Sequence, residues 1–167
     1  TSPARSCPWT EACNVATRED EVLALVPHRP PFLFLDEILE RDDRRIKAVK
    51  TLRPEEPYLA GHYPGRPIMP GVLICECVFQ AGAALLFGRG TLDPKKVPVL
   101  SKIQNARFRR PVFPGAKLVI EAEIVEEIMG ALIMKGAVSV NGQNVLRTEF
   151  VVGMADIGDG PDMRSPA

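Results

Sequence analysis

The chain has 167 residues, 46% hydrophobic and 25% charged, a globular composition with enough length for a substantial core. Lys+Arg and Asp+Glu balance at 21 each, so overall charge names no partner. Glu76 and Gln80 break the longest apolar run before the roughly 20 residues that a membrane span needs, and the first twenty residues lack a signal-peptide apolar core, although a targeting peptide already removed would leave no trace.

Residues 1–16, with Pro3 and Pro8 and no periodicity, read as a flexible leader. Thr17 with Asp20 forms a capping-box pattern for a short helix over 18–25, which Pro27 ends. Residues 32–40 and 45–52 read as strands around the polar turn Arg41-Asp42-Asp43-Arg44. Residues 53–69 form a loop whose shape Pro64, Pro67, Gly61 and Gly65 fix. A helix follows from Pro70 or Gly71 to Phe87, with proline suited to its first turn and Gly88 and Gly90 ending it.

Strands are expected next at 97–108, 117–128, 131–140 and 145–154. Pro111 to Gly115, Met129-Gly130 and Asn141-Gly142 supply the turns, the last a strong hairpin signal. Residues 156–167 read as a disordered tail, leaving 17–155 as a single domain. A helix apolar on nearly every side must be buried on every side. The expected architecture is therefore α+β: a long central helix wrapped by a curved six-stranded antiparallel sheet, with a second copy covering what stays exposed. Cys75 and Cys77 lie about 200° apart around that helix, and Cys7 and Cys13 have no metal-ligand spacing, so all four read as free thiols of a reducing cytoplasm.

Glu76 is the anomaly, a carboxyl in the most apolar helix of the chain. Burying an isolated carboxylate costs several kcal/mol, so the group must be paired, neutralised or used. An ion pair with a buried arginine, or a bond to a loop N–H, is the structural alternative. Val72, Glu76 and Gln80 at i, i+4 and i+8 make a stripe that suits a cavity wall. His62 sits upstream in the rigid Pro/Gly loop that feeds the helix N-terminus. There the free amides of Gly71 and Val72 suit an oxygen that gains negative charge. A neutral imidazole, a protonated carboxyl and two amide donors suit proton removal beside a carbonyl, with the acid serving a leaving group.

Three blocks carry a family resemblance: PHRPPFLFLDEI (27–38), GHYPGRPIMPGVLICECVFQAG (61–82) and NARFRRPVFPG (105–115). The chain resembles the β-hydroxyacyl-acyl-carrier-protein dehydratases of bacterial-type fatty acid synthesis, of the (3R)-hydroxymyristoyl type, which have the hotdog fold. The resemblance implies a dimer as the active unit, often three dimers together. It implies that His62 is the base, that Glu76 is the acid contributed by the opposite subunit, that the Gly71 amide binds the thioester carbonyl, and that Gln80 helps hold the Glu. The implied reaction is loss of water from a (3R)-3-hydroxyacyl thioester to the trans-2-enoyl product, with no metal and no organic cofactor. Relatives that also isomerise the double bond typically carry Asp at the position of Glu76. Pro30, Gln104 and Ala116 depart from the family pattern, and the leader and tail are longer than usual. His28 lies in a matched block and reads as structural.

Between Arg89 and Lys117 there are eight basic residues and one acid, Asp93. A solvated strand face is the plain account; the resemblance favours docking of acyl carrier protein, with Arg107, Arg109 and Arg110 as candidates. No aromatic interleaving or nucleic-acid motif accompanies the charge. Phe32, Phe34, Leu73, Val78, Phe79 and Leu85 read as core. The competing readings are a hotdog thioesterase or enoyl-CoA hydratase, or a non-catalytic acyl-binding protein. The expected location is cytoplasmic, with a plastid or other organelle stroma left open.

Overall fold

A computed structural model describes residues 18–93 and 95–156; the expected leader and, apart from Asp156, the expected tail lie outside them. Helix α1 spans Arg18–Leu25 and helix α2 spans Gly71–Gly88. Six strands follow the expected order: β1 (Glu37–Arg41), β2 (Arg45–Thr51), β3 (Lys96–Phe108), β4 (Lys117–Ile128), β5 (Ala131–Val140) and β6 (Gln143–Asp156). All pairings are antiparallel, and the sheet runs β1-β2-β4-β5-β6-β3. The sheet packs on α2, whose Cys77, Val78, Ala81, Ala84 and Leu85 are fully buried. By length and composition α2 could cross a membrane, yet it is the core helix here, more than half buried against the sheet.

The strands form because their apolar residues alternate. On β4, Leu118, Ile120, Ala122 and Ile124 turn inward, as the period of two requires. Met129-Gly130 and Asn141-Gly142 close two-residue hairpins with positive φ at both positions, the geometry that glycine and asparagine tolerate. Gly136 lets helix and sheet meet: a Cβ there would collide with Val78 Cγ1. At the other end of α2, the Arg41 guanidinium lies against Gly88, placing a cation by the helix C-terminus.

Three expectations need correction. The first strand begins at Glu37, not 32, because the Phe32 carbonyl and Phe34 amide bond to the Gln80 side chain instead of a neighbouring strand. The last strand is longer than expected at both ends, from Gln143 to Asp156. Phe32 is not core: it is half exposed, edge-on to the buried Phe34 with ring centroids 5.0 Å apart. Leu73 and Phe79 are partly buried, whereas Phe34, Val78 and Leu85 are buried as expected.

Strand β3 ends the sheet and pairs only with β6. Its Leu100, Ile103 and Phe108 are exposed although apolar. A long apolar edge is a template for pairing with another chain.

Candidate active site

The loop between β2 and α2 is held from inside. A short 3-10 turn, Pro57–Leu59, is closed by Leu59 N–H donating to Glu56 O at 3.0 Å, and His62 N–H then donates to Leu59 O at 3.3 Å. Tyr63 and Gly65 take positive φ, and Met69 N–H donates to Val112 O at 2.8 Å, fixing the far end. His62 Nδ1 lies 2.9 Å from the carbonyl oxygen of Ile68. A carbonyl only accepts, so this contact assigns a proton to Nδ1, and in the neutral ring Nε2 is then the nitrogen with the lone pair. The Tyr63 ring packs edge-on against the imidazole at 4.7 Å.

Helix α2 starts at Gly71 with Pro70 as N-cap, and Pro70 O accepts from Leu73 N–H at 3.0 Å and Ile74 N–H at 3.2 Å. Gly71 and Val72 supply the two amides ahead of these, which have no acceptor within the helix. The ring of Phe108 lies over Gly71, 3.0 Å from where a Cβ would stand. Glycine thus keeps the helix N-terminus and the β3 aromatic in close contact.

One turn further, Glu76 is largely buried, with its side chain 22% exposed. Burial raises its pKa above the ordinary carboxyl value, and a hydrogen bond from Gln80 opposes this with a smaller effect. That bond runs from Gln80 Nε2 to Glu76 Oε1 at 3.0 Å. Gln80 is fully buried; its Oε1 accepts from Phe34 N–H at 2.8 Å and its Nε2 also donates to Phe32 O at 3.0 Å. Gln80 therefore fixes the carboxyl and anchors the preceding loop to α2. Neither arginine nor a backbone amide pairs with Glu76 among the described residues.

His28 is the neighbour that the sequence concealed. Its Nε2 stands 3.8 Å from Glu76 Oε1, and its Nδ1 is buried with no hydrogen-bond partner. Burial, then the adjacent Arg29, lowers its pKa. The only hint in the sequence was its place in the first matched block, since contact with Glu76 spans 48 positions.

Within one chain the expected pair does not meet. His62 Nδ1 contacts the main-chain carbonyl of Ile68, while the Glu76 carboxyl contacts Gln80 and His28. One chain carries an imidazole in the loop that leads to the α2 N-terminus and, separately, a shielded carboxyl on α2. Among the described residues no three His, Cys, Asp or Glu side chains gather as a metal site would need.

The candidate docking arginines divide. Arg107 and Arg109 line an open groove of about 1070 Å³ on the outer face of the sheet, but Arg110 does not. The same groove holds Arg147, directly opposite Arg107 in the β3–β6 register and missed in the sequence reading. Neighbouring cations have acids across the strands, Arg45 with Glu123 at 3.3 Å and Lys47 with Glu121 at 3.7 Å. No ion pair engages Arg107, Arg109 or Arg147 among the described residues.

Residues 26–149 match the family described as FabA-like domain. The chain is 40% identical over 140 residues to 3-hydroxyacyl-acyl-carrier-protein dehydratase FabZ of Proteus mirabilis, covering 83% of this chain and 93% of that protein. It is 39% identical over 140 residues to the protein of the same name from Thiobacillus denitrificans, covering 82% and 97%. Among solved structures, the dehydratase heterocomplex ApeI:P from Xenorhabdus doucetiae aligns with a TM-score of 0.70 at 17% identity, over 81% of this chain and 91% of that one. A thioesterase from Haemophilus influenzae aligns with a TM-score of 0.54 at 17% identity, over 72% and 78%. These two structural likenesses concern the fold alone.

Proposed function

This chain belongs to the family of FabA-like domains and is a 3-hydroxyacyl-acyl-carrier-protein dehydratase, a hydro-lyase, and we propose that His62 is its catalytic base and Glu76, supplied by the second chain of a dimer, its acid. The substrate is a (3R)-3-hydroxyacyl thioester on the carrier. Its thioester carbonyl accepts from the Gly71 amide, beside that of Val72, at the N-terminus of α2. His62 Nε2 removes the proton from C2, charge develops on the carbonyl oxygen, and the amides stabilise it. The C2–C3 double bond forms as the C3–O bond breaks, and the carboxyl proton of Glu76 leaves with the hydroxyl as water. Proton return from imidazolium to carboxylate resets the site.

The observation that carries this reading is the state of Glu76. A carboxyl whose pKa burial raises, held by a neutral amide rather than a cation, is suited to keep a proton and deliver it. Two features support a dimer: His62 and Glu76 lack contact within one chain, and the edge strand β3 exposes Leu100, Ile103 and Phe108 to a second copy. Assembly of three dimers would extend the same arrangement. Arg107, Arg109 and Arg110 are proposed to receive the acidic carrier protein; all three are exposed on or just after β3, whose Phe108 reaches Gly71. The free buried thiols Cys75 and Cys77 suit a reducing cytoplasm or stroma.

The test is enoyl-thioester absorbance with 3-hydroxybutyryl and longer carrier-linked substrates. Wild type should dehydrate them reversibly, while His62→Ala and Glu76→Gln, both folded, should be inactive. Undiminished turnover by Glu76→Gln would remove the acid from the mechanism. Replacing the three arginines should raise KM for carrier-linked substrate and leave a short soluble thioester unaffected; equal effects on both would count against docking there.

A further inference from the structure

Lys50 takes no part in the chemistry above, yet its side chain is only 4% exposed. It faces inward on β2, on the same side as Ile46 and Ala48. Its ammonium lies 2.8 Å from Glu56 Oε1 and 3.4 Å from Asp36 Oδ1. Arg53 Nη1 also lies 3.4 Å from Asp36 Oδ1, but its side chain is mostly exposed, so Lys50 is the buried cation between the two carboxylates. Such a cluster is a poor device for stability alone, since desolvating its charges offsets much of their attraction. The trio is also incompletely satisfied. Glu56 Oε1 makes its contact without hydrogen-bond alignment, and the neighbouring Tyr58 hydroxyl is buried with no partner. A cavity of about 260 Å³ lined by Lys50, Asp36 and Glu56 adjoins them.

What the trio does join is two segments with separate destinations. Glu56 caps the turn that runs to the base: its carbonyl accepts from Leu59, and the Leu59 carbonyl accepts from His62. Asp36 ends the loop that serves the acid. Its Oδ2 accepts from Thr51 N–H at 2.7 Å, and two residues earlier Phe34 bonds to Gln80, the residue that holds Glu76.

We propose that Lys50 is a positioning residue with two arms, Glu56 setting the place of His62 and Asp36 setting the place of Gln80 and hence Glu76. The inference rests on the division of base and acid between two chains proposed above. On that division, the His62 and Glu76 of one chain serve different active sites. A single buried ammonium therefore ties the geometry of one site of the dimer to that of the other.

Mixed dimers test this. A His62→Ala chain and a Glu76→Gln chain, differently tagged, are co-expressed and the mixed species is isolated. Its one working site takes its base from the Glu76→Gln chain and its acid from the His62→Ala chain. Glu56→Gln placed in the base-supplying chain should lower kcat about tenfold or more, since misplacing a catalytic group by about 1 Å costs up to 10²-fold. The same change in the acid-supplying chain should leave kcat unaltered. Asp36→Asn should show the reverse pattern, and Lys50→Met should lower kcat in either chain. If Lys50→Met does not fold, the two arm variants, which keep the ammonium and one ion pair, decide the matter. Equal losses in both placements, or none in either, overturn the two-arm role while the base and acid assignments stand. A parent mixture that regains no activity overturns the two-chain site and this inference with it.

Discussion

Gln80 donates to Glu76 at 3.0 Å while its own carboxamide oxygen accepts from the amide of Phe34 at 2.8 Å, so one buried side chain both aims the acid and closes the loop above it. Gln80→Leu keeps the volume and removes all three bonds. The buried Phe34 N–H and the Phe32 carbonyl would lose their partners, and the fold should lose about 2–4 kcal/mol. Activity should fall further than stability explains, because Glu76 loses its orienting donor. Chemical denaturation and single-turnover rates measure the two effects; an unchanged denaturation midpoint would show that water replaces the amide.

The raised pKa of Glu76 has a definite sign for stability. Unfolded, the carboxyl titrates near its ordinary value of 4.5; folded, it holds its proton to higher pH. Above 4.5 the unfolded chain releases a proton that the folded chain retains, so folding weakens as pH rises through the folded pKa. Glu76→Gln cannot ionise and escapes this penalty. The melting temperature of the variant minus that of wild type should therefore increase from about pH 4 to about pH 8. A difference that stays flat with pH would mean that the carboxyl titrates alike in both states.

Much of this arrangement was legible because local rules and tertiary demands agree. The apolar periodicity of residues 71–87, the Asn141-Gly142 turn and the alternation in β4 each have one economical solution, and each forms. Contacts that join distant positions were not legible. Residues 32–36 alternate like a strand, but Gln80 claims the Phe34 amide and the Phe32 carbonyl from 46 and 48 positions away. His28 reaches Glu76 in the same way. Lys50 did carry a signal: it shares the parity of Ile46 and Ala48, which places a charge on the inward face of β2. In isolation a lysine in a polar strand reads as solvated, and only Glu56 and Asp36 show otherwise.

Gly71 should be tolerant in stability and intolerant in activity. A Cβ there would meet Phe108 ring carbons at 3.0, 3.2 and 3.4 Å, and that ring is half exposed and can yield. Alanine also suits a helix better than glycine, so Gly71→Ala should change stability by less than about 0.5 kcal/mol. The added methyl and displaced ring would crowd the oxygen that the Gly71 amide is proposed to receive, and kcat/KM should drop about tenfold or more. Steady-state kinetics beside a thermal melt separate these outcomes. Full activity in Gly71→Ala would place the carbonyl elsewhere.

Gly136 should behave in the opposite way, as a packing position remote from the chemistry. A Cβ there would collide with Val78 Cγ1 and approach the Glu121 carbonyl oxygen to 3.2 Å. Val78 is fully buried on α2 and cannot swing aside, so helix and sheet would have to separate. Gly136→Ala should destabilise the fold by about 1–3 kcal/mol, the usual effect of overpacking a filled core. Val78→Ala alone should also destabilise, by leaving a void where its two methyl groups were. Combined, the changes compensate: the new methyl occupies space the old ones vacate, and the double variant should be more stable than the sum of the single effects predicts. A denaturant double-mutant cycle measures that coupling. Strict additivity would show that the strain of Gly136→Ala comes from the Glu121 carbonyl and not from the helix.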